Sequence, residues 1–262
     1  MWRTEIAASR RAAGQKERMT NRFTKPAVGL LLGLVLLLGF VSQPAAAATK
    51  IPVDLRVVTW KGKIIFDGTV KTGTAKIKPT STCPTLGGRL GPARTIQGAT
   101  ALGALYQGSF QYKALRPLKI SDGDLGFGIC GIGGQMAAGK GWWVLRHNYK
   151  DAATGAEGVK LKRGDSVLLY YSKSWEDTTP DSLHLNAPKQ AKKGAKVKVR
   201  VFKYNGTTGK RTPASNAKVS GAQGALTNGQ GYTTLTITGK TRLVAREGSL
   251  IPSNRVSVSI RK

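Results

Sequence analysis

Catalysis on a protein needs a nucleophile beside a base, paired carboxylates, a metal-ligand set or a cradle for phosphate. In this chain the densest run with such a look is Gly126–Trp143, GFGICGIGGQMAAGKGWW. Gly126, Gly128 and Gly131 spell G-x-G-x-x-G, and Asp151 follows the third glycine by 20 residues, where a dinucleotide-binding unit carries its ribose acid. Gly134, Gly139 and Lys140 spell G-x-x-x-x-G-K. Both motifs fail on context. A dinucleotide site needs a core strand before the glycines and a helix opening after them. Here ISDGDL reads as a turn, and Gly133, Gly134, Gly139 and Gly141 deny a helix, each costing about 1 kcal/mol against alanine. The P-loop lacks its hydroxyl residue, because position 141 is glycine. With 33 glycines in 262 residues, such spacings arise by chance, and the run reads as a tight loop leading to Trp142 and Trp143.

The other chemical residues are scattered. Asp122 and Asp124 share the turn SDGDLG, and Glu176 and Asp177 sit together in SWEDTTPD. A lone D-x-D without the rest of a loop is a polar turn rather than a calcium site. His147 lies on the tryptophan-led stretch WWVLRHN, and His184 lies far from it, so no metal spacing forms. His147 reads as an exposed strand residue, and neither catalysis, a metal nor a bound cofactor is expected. Binding has the better support, because Trp60, Trp142, Trp143, Tyr106, Tyr112, Tyr170 and Tyr171 gather before residue 174. Strand alternation sends Trp142 and Trp143 to opposite sides, so one packs inward. The other is free to stack on a flat ligand or a sugar, with Arg146 and Asn148 beside it as candidate ligand contacts. The alternative is that both indoles are structural.

The chain's first 48 residues read as an export signal. The apolar run 27–41, AVGLLLGLVLLLGFV, follows Arg22 and Lys25 and precedes Ala46-Ala47-Ala48, which places cleavage after Ala48. The run is shorter than the roughly 20 residues of a spanning helix, although a retained anchor is its rival. The signal makes most sense when counted from Met19. The expectation is therefore a secreted, extracellular protein with no stable membrane span after cleavage. Seven of the 42 Lys and Arg and two of the 13 Asp and Glu precede residue 49, leaving 35 against 11, a net +24. Outside a cell, such charge points to anionic envelope polymers rather than to nucleic acid, or simply to a solvated surface. Cys83 and Cys130 form an even count in an oxidising compartment and are the candidate disulfide.

The elements that must position these residues divide near the linker 174–181. Beyond it, KVKVRVFK at 196–203, TTLTI at 233–237, TRLVARE at 241–247 and RVSVSIR at 255–261 alternate as half-buried strands between glycine-rich turns. Residues 181–262 carry 16 basic side chains against only Asp181 and Glu247. This part resembles the bacterial immunoglobulin-like domains of surface and secreted proteins. The resemblance rests on Val219, Gly221, Thr227, Gly231, Leu235, Leu243, Ala245, Ser253, Val256 and Val258. It implies a β-sandwich over about 182–260, a role in spacing, presentation or adhesion, and no catalytic residue.

Before the linker, VDLRVVTWKGKIIFDGTV suggests two strands joined by WKGK, and Thr100 is a natural N-cap for the short helix TALGALYQ. WWVLRHN and DSVLLYYS supply two more strands. The order of helix, glycine segment, tryptophan strand, Gly-Asp turn and aromatic strand resembles the transcobalamin-like C-terminal domain. It rests on Thr100, Leu102, Ala104, Leu105, Trp143, Asn148, Gly155, Gly158, Leu161, Gly164, Asp165, Val167 and Tyr170. Asn148-Tyr149-Lys150-Asp151 and the AATGAEG after it depart from the Asn-Gly turn common in that family. The resemblance covers about 53–173. It implies a β-grasp-like module and small-ligand binding, with corrinoids such as cobalamin as ligand rather than cofactor.

The expected molecule is thus mainly β with an α+β first half. A β-grasp-like domain with one short helix (49–173) precedes a basic immunoglobulin-like sandwich (182–262). The expected function is secreted, non-enzymatic binding of a small ligand, of corrinoid type, by the first domain. The alternative is a cationic cell-envelope or adhesion protein that associates with anionic wall polymers.

Overall fold

In the computed structural model, residues 49–224 and 226–261 are described. The expected signal segment 1–48, with its start at Met19 and cleavage at Ala48, lies outside them.

The first lobe is built on one mixed sheet. Its strands in chain order are β1 (Ile51–Val58), β2 (Ile64–Thr72), β3 (Ala75–Ile77) and β4 (Arg94–Ile96), followed by helix α1 (Ala101–Gln111). Then come β5 (Leu118–Gly123), β6 (Gly126–Ile132), β7 (Gln135–Met136), β8 (Trp142–His147), β9 (Lys150–Asp151) and β10 (Ser166–Ser172). The main sheet runs β2-β1-β10-β8-β9, and its central pair β1–β10 is parallel, Leu55 facing Val167 and Val57 facing Leu169. Parallel neighbours need a long crossover, and everything from β2 to β9 serves as that crossover. The helix starts where the side chain of Thr100 accepts a hydrogen bond from Gly103 N–H at 3.0 Å, and it runs a turn beyond the expected TALGALYQ. Its Leu102 and Leu105 pack with Val53, Leu55 and Val57 of β1 and with Val167 and Leu169 of β10. Each such side chain contributes about 1.5–3 kcal/mol by leaving water.

Two readings of the sequence need correction. In the segment expected to be a turn before Gly126, only Asp124-Leu125 turns, and the residues before it are strand β5. The first part of the glycine run, Gly126–Ile132, is strand β6, its antiparallel partner. The remainder turns at Gly133-Gly134 and Gly139-Lys140 on the way to Trp142. Within β6, Gly128 and Gly131 serve for space rather than for a loop. A Cβ on Gly128 would stand 2.9 Å from Ser121 Oγ and 3.1 Å from Leu86 Cδ1, and one on Gly131 would overlap Met136 Sδ. Cys130 on β6 is joined to Cys83, as expected, with Cα atoms 5.6 Å apart.

The second lobe packs two sheets around one core. Its strands are β11 (Ser182–Asn186), β12 (Gln190–Ala191), β13 (Ala195–Tyr204), β14 (Arg211–Pro213) and β15 (Lys218–Ser220). They are followed by β16 (Gln223–Gly224), β17 (Tyr232–Ile237), β18 (Thr241–Arg246) and β19 (Val256–Ile260). One sheet runs β11-β13-β17-β16 with β14 on β13, and the other runs β12-β19-β18-β15. Val199 and Val201 of β13 point inward against Leu235, Ile237, Leu243 and Val258, as the alternation of KVKVRV requires.

The two lobes do not hang on a loose tether. All described residues belong to one compact unit, Ala45–Lys262. The face of the main sheet opposite α1 carries Val58, Ile64, Leu168 and Tyr170, and these form a third core with Val244 and Ile251 of the second lobe.

Candidate functional site

Strand β8 ends in a type of turn that leaves part of its edge free. Asn148 and Tyr149 both have positive φ, 49° and 70°, and join β8 to β9 as a two-residue hairpin. β9 reaches only Arg146 and His147, and Ala152 N–H then donates to Leu145 O. From there the chain swings away through 152–156 and opens a cleft of about 480 Å³ against β8. Trp142, Trp143 and Val144 of β8 line it with Phe127, Ile129 and Leu86, and Asp151, Thr154 and Thr179 supply its polar groups. Trp142 is 37% exposed and Trp143 7%, which is the division that strand alternation demands. Trp143 packs on Tyr171 with ring centroids 5.3 Å apart, and its buried Nε1 has no partner among the described residues. Phe127 is backed by the Arg94 guanidinium at 4.0 Å, itself held to Asp122 at 2.8 Å.

Four residues carried the sequence expectation, and the structure divides them. Trp142 and Trp143 line the cleft. Arg146 is only 1% exposed and belongs to the seam between the lobes. Its Nε donates to Asp151 at 2.7 Å and its Nη1 to Pro180 O at 2.9 Å, while Nη2 is buried without a partner. Asn148, at the far end of β8, is a clamp. Its Nδ2 donates to Asp165 at 3.0 Å and its Oδ1 accepts from Ser166 N–H at 2.9 Å.

The chemically suspicious residues resolve into structural roles. Gly126, Gly128 and Gly131 lie within a strand, with no helix after them. Asp151, the would-be ribose acid, is the partner of Arg146. Asp122 and Asp124 are not a pair, because Asp122 holds Arg94 and Asp124 holds Arg89 at 3.1 Å. His147 is half-buried rather than exposed, its Nε2 2.7 Å from Asp165 Oδ2. Burial works against ionisation of Asp165, yet hydrogen bonds from Lys162 N–H, Asn148 and His147 outweigh it and hold the carboxyl below the usual range. Among the described residues no hydroxyl or thiol hydrogen-bonds to the His147 ring. No cluster of three His, Cys, Asp or Glu able to hold a metal occurs among them either.

What the sequence did not disclose is the polar seam. Arg56 is buried and donates through Nη1 to Leu183 O at 3.2 Å and Pro252 O at 2.8 Å. Arg255 donates through its backbone N–H to Asp67 and through Nη2 to Ile64 O at 2.9 Å. Arg246 reaches Gly62 O at 2.8 Å. The Tyr149 ring stacks on Tyr204 at 4.0 Å, and its hydroxyl lies 2.7 Å from His184 Nδ1. Burial lowers the His184 pKa to about 4, assisted by the nearby charges of Arg56 and Arg211. Burial likewise raises Asp67 and Tyr149 and lowers Arg56.

A second surface feature lies on the outer face of β13. Arg200 stands 4.6 Å from both the Phe202 and Tyr232 rings, Lys198 lies 4.1 Å over Tyr232, and Arg211 lies 4.5 Å over Phe202. These cations and rings alternate as one ladder, and among the described residues no carboxylate pairs with Lys198, Arg200 or Arg211.

No protein-family model matches the chain. No curated protein matches it either. Among solved structures, haptocorrin in complex with Cbi is similar at 15% identity and a TM-score of 0.33, over 48% of this chain and 26% of that one. The chain therefore spans about a quarter of that protein's length, and the likeness extends only to a β-rich fold.

Proposed function

We propose that the chain is an exported, non-enzymatic binding protein that takes a small planar ligand in the cleft beside β8. The observation that carries this reading is that Trp142, 37% exposed, lines an apolar cleft with Phe127, Ile129 and Trp143, bounded by β6, β8 and the 152–156 segment. Binding clefts of this size and character, apolar with a few converging polar groups, suit one face of a flat ring. Corrinoids are the class to try first, on the strength of the residues shared with the transcobalamin-like domain. Export is supported by the apolar run 27–41 and by the Cys83–Cys130 disulfide, a bond that persists in oxidising compartments.

The test is calorimetric titration of residues 49–262 with a cobalamin. The first lobe alone is unsuitable, because removing the second would bare Val58, Ile64, Leu168 and Tyr170. Saturable binding that Trp142→Ala weakens about tenfold, the worth of about 1.4 kcal/mol of stacking, supports the reading. A flat titration from folded protein removes corrinoids from it.

The cation–aromatic ladder on β13 favours a second reading, a cationic envelope protein that holds anionic wall polymer through its second lobe. Exposed ionic contacts weaken as salt rises. Polymer retention that salt abolishes, with no response to cobalamin, would select this reading over the first.

A further inference from the structure

Helix α1 carries an aromatic pair, with Tyr106 partly buried against the core and Phe110 exposed. Tyr106 and Phe110 are one helical turn apart on the same side, their ring centroids 5.0 Å apart and nearly perpendicular. Phe110 is 68% exposed. One exposed phenylalanine is ordinary, but this one walls a groove of about 820 Å³. The groove's floor is Leu118 and Ile120 of β5 with Pro117, all apolar. Its third side is the segment after β3, pinned where Thr80 Oγ1 donates to Leu118 O at 2.9 Å and accepts from Ile120 N–H at 3.0 Å.

The charges around this groove have one sign. Lys78, Lys113 and Arg116 line it, and no Asp or Glu does. Among the described residues none of the three has a carboxylate partner, and the Tyr106 hydroxyl makes no hydrogen bond. A recessed apolar floor with unpaired cations is complementary to a ligand carrying a hydrocarbon tail and an anionic head. A polyanion would leave the floor unused. Leu118 is 9% exposed and Ile120 is fully buried, so the apolar surface open to a ligand is that of Phe110 and Pro117 with the edge of Leu118.

We propose that this groove binds a single-chain anionic amphiphile, a fatty carboxylate of about ten carbons or more. Its tail lies over Phe110, Pro117 and Leu118, and its head meets Lys113 and Arg116. The groove shares no lining residue with the cleft beside β8, so the two sites stand or fall separately.

The experiment is calorimetric titration of residues 49–262 with decanoate below its micelle concentration, with decanol as the uncharged control. One saturable site is expected, with decanol about tenfold weaker. Phe110→Ser and the double change Lys113→Glu with Arg116→Glu should each weaken decanoate at least tenfold, and Trp142→Ala should leave it unchanged. These side chains are exposed, so the variants should keep the wild-type melting temperature. Absence of saturable binding, equal binding by the variants, or equal affinity for decanol would overturn the proposal. So would sedimentation with phosphatidylglycerol vesicles that depends on Phe110 without binding of monomeric decanoate, since the face would then dock on a membrane.

Discussion

Stability of the folded chain should fall as pH drops from 7 to 5, and one imidazole in the seam should account for most of the fall. His184 titrates near 4 in the folded protein and near 6.5 when unfolded. Its folded pKa is depressed, so between those values the unfolded chain binds more protons, and stability is lost as pH decreases through the window. From the two values the loss is about 2 kcal/mol between pH 8 and pH 5. The structural reason is twofold. A protonated imidazole has no lone pair at Nδ1 to accept the Tyr149 hydroxyl proton, and it would stand beside the charges of Arg56 and Arg211. The two perturbed carboxylates act with opposite sign. Asp165, held below its ordinary value, loses stabilisation only in stronger acid, whereas Asp67, raised by burial, gains in mild acid. Urea unfolding of wild type and His184→Gln, at steps from pH 8 to pH 4.5, separates them, because the carboxylates are common to both. The two stability curves should converge as pH falls, the wild type losing about 2 kcal/mol more. Parallel curves would refute the reasoning, as would a His184 ring resonance that titrates near 6.5 in the folded state.

The disulfide and the seam each give a further expectation. Replacing Cys83 and Cys130 together by Ser removes a cross-link across 47 residues, which should cost up to about 4 kcal/mol by the chain-entropy estimate and appear as a lower urea midpoint. At Gly206→Ala the new Cβ would overlap Arg146 Nη2. Displacing that buried guanidinium from Asp151 and Pro180 O should cost about 3 kcal/mol, measured by thermal unfolding. The same substitution at Gly155, where a Cβ meets nothing within 4 Å, should leave the protein unchanged within about 0.5 kcal/mol.

Local signals in the sequence proved reliable where the physics is local. The alternation in KVKVRV faithfully marked the inward valines of β13, Thr100 capped its helix, and Trp142 and Trp143 divided between outside and inside. The failures have a common cause. ISDG carries turn residues, yet it is a strand because β6 pairs along it, while Arg89 bonds the Asp122 backbone and Arg94 its carboxylate. Arg146 and Asn148 looked like neighbours of Trp142, but Arg146 is drawn into a seam that forms only when residues 146, 151, 180 and 206 meet. The cleft itself depends on where β9 stops, which no spacing of residue types encodes.

The arginines of the seam also bear on how this chain can change over generations. Arg56, Arg146, Arg246 and Arg255 each cross to a backbone carbonyl, at Leu183 and Pro252, Pro180, Gly62 and Ile64 respectively. A carbonyl survives any substitution at its own position. The acceptor residues are therefore free to drift without breaking the bonds, whereas each arginine is held to one identity by geometry alone. Two arginines belong to each lobe, so a recombinant that exchanged one lobe for a divergent copy would keep two or three of these five bonds through its unchanged partner. Joining new halves would then depend on these arginines together with the side-chain contacts of Tyr149 with His184 and Tyr204.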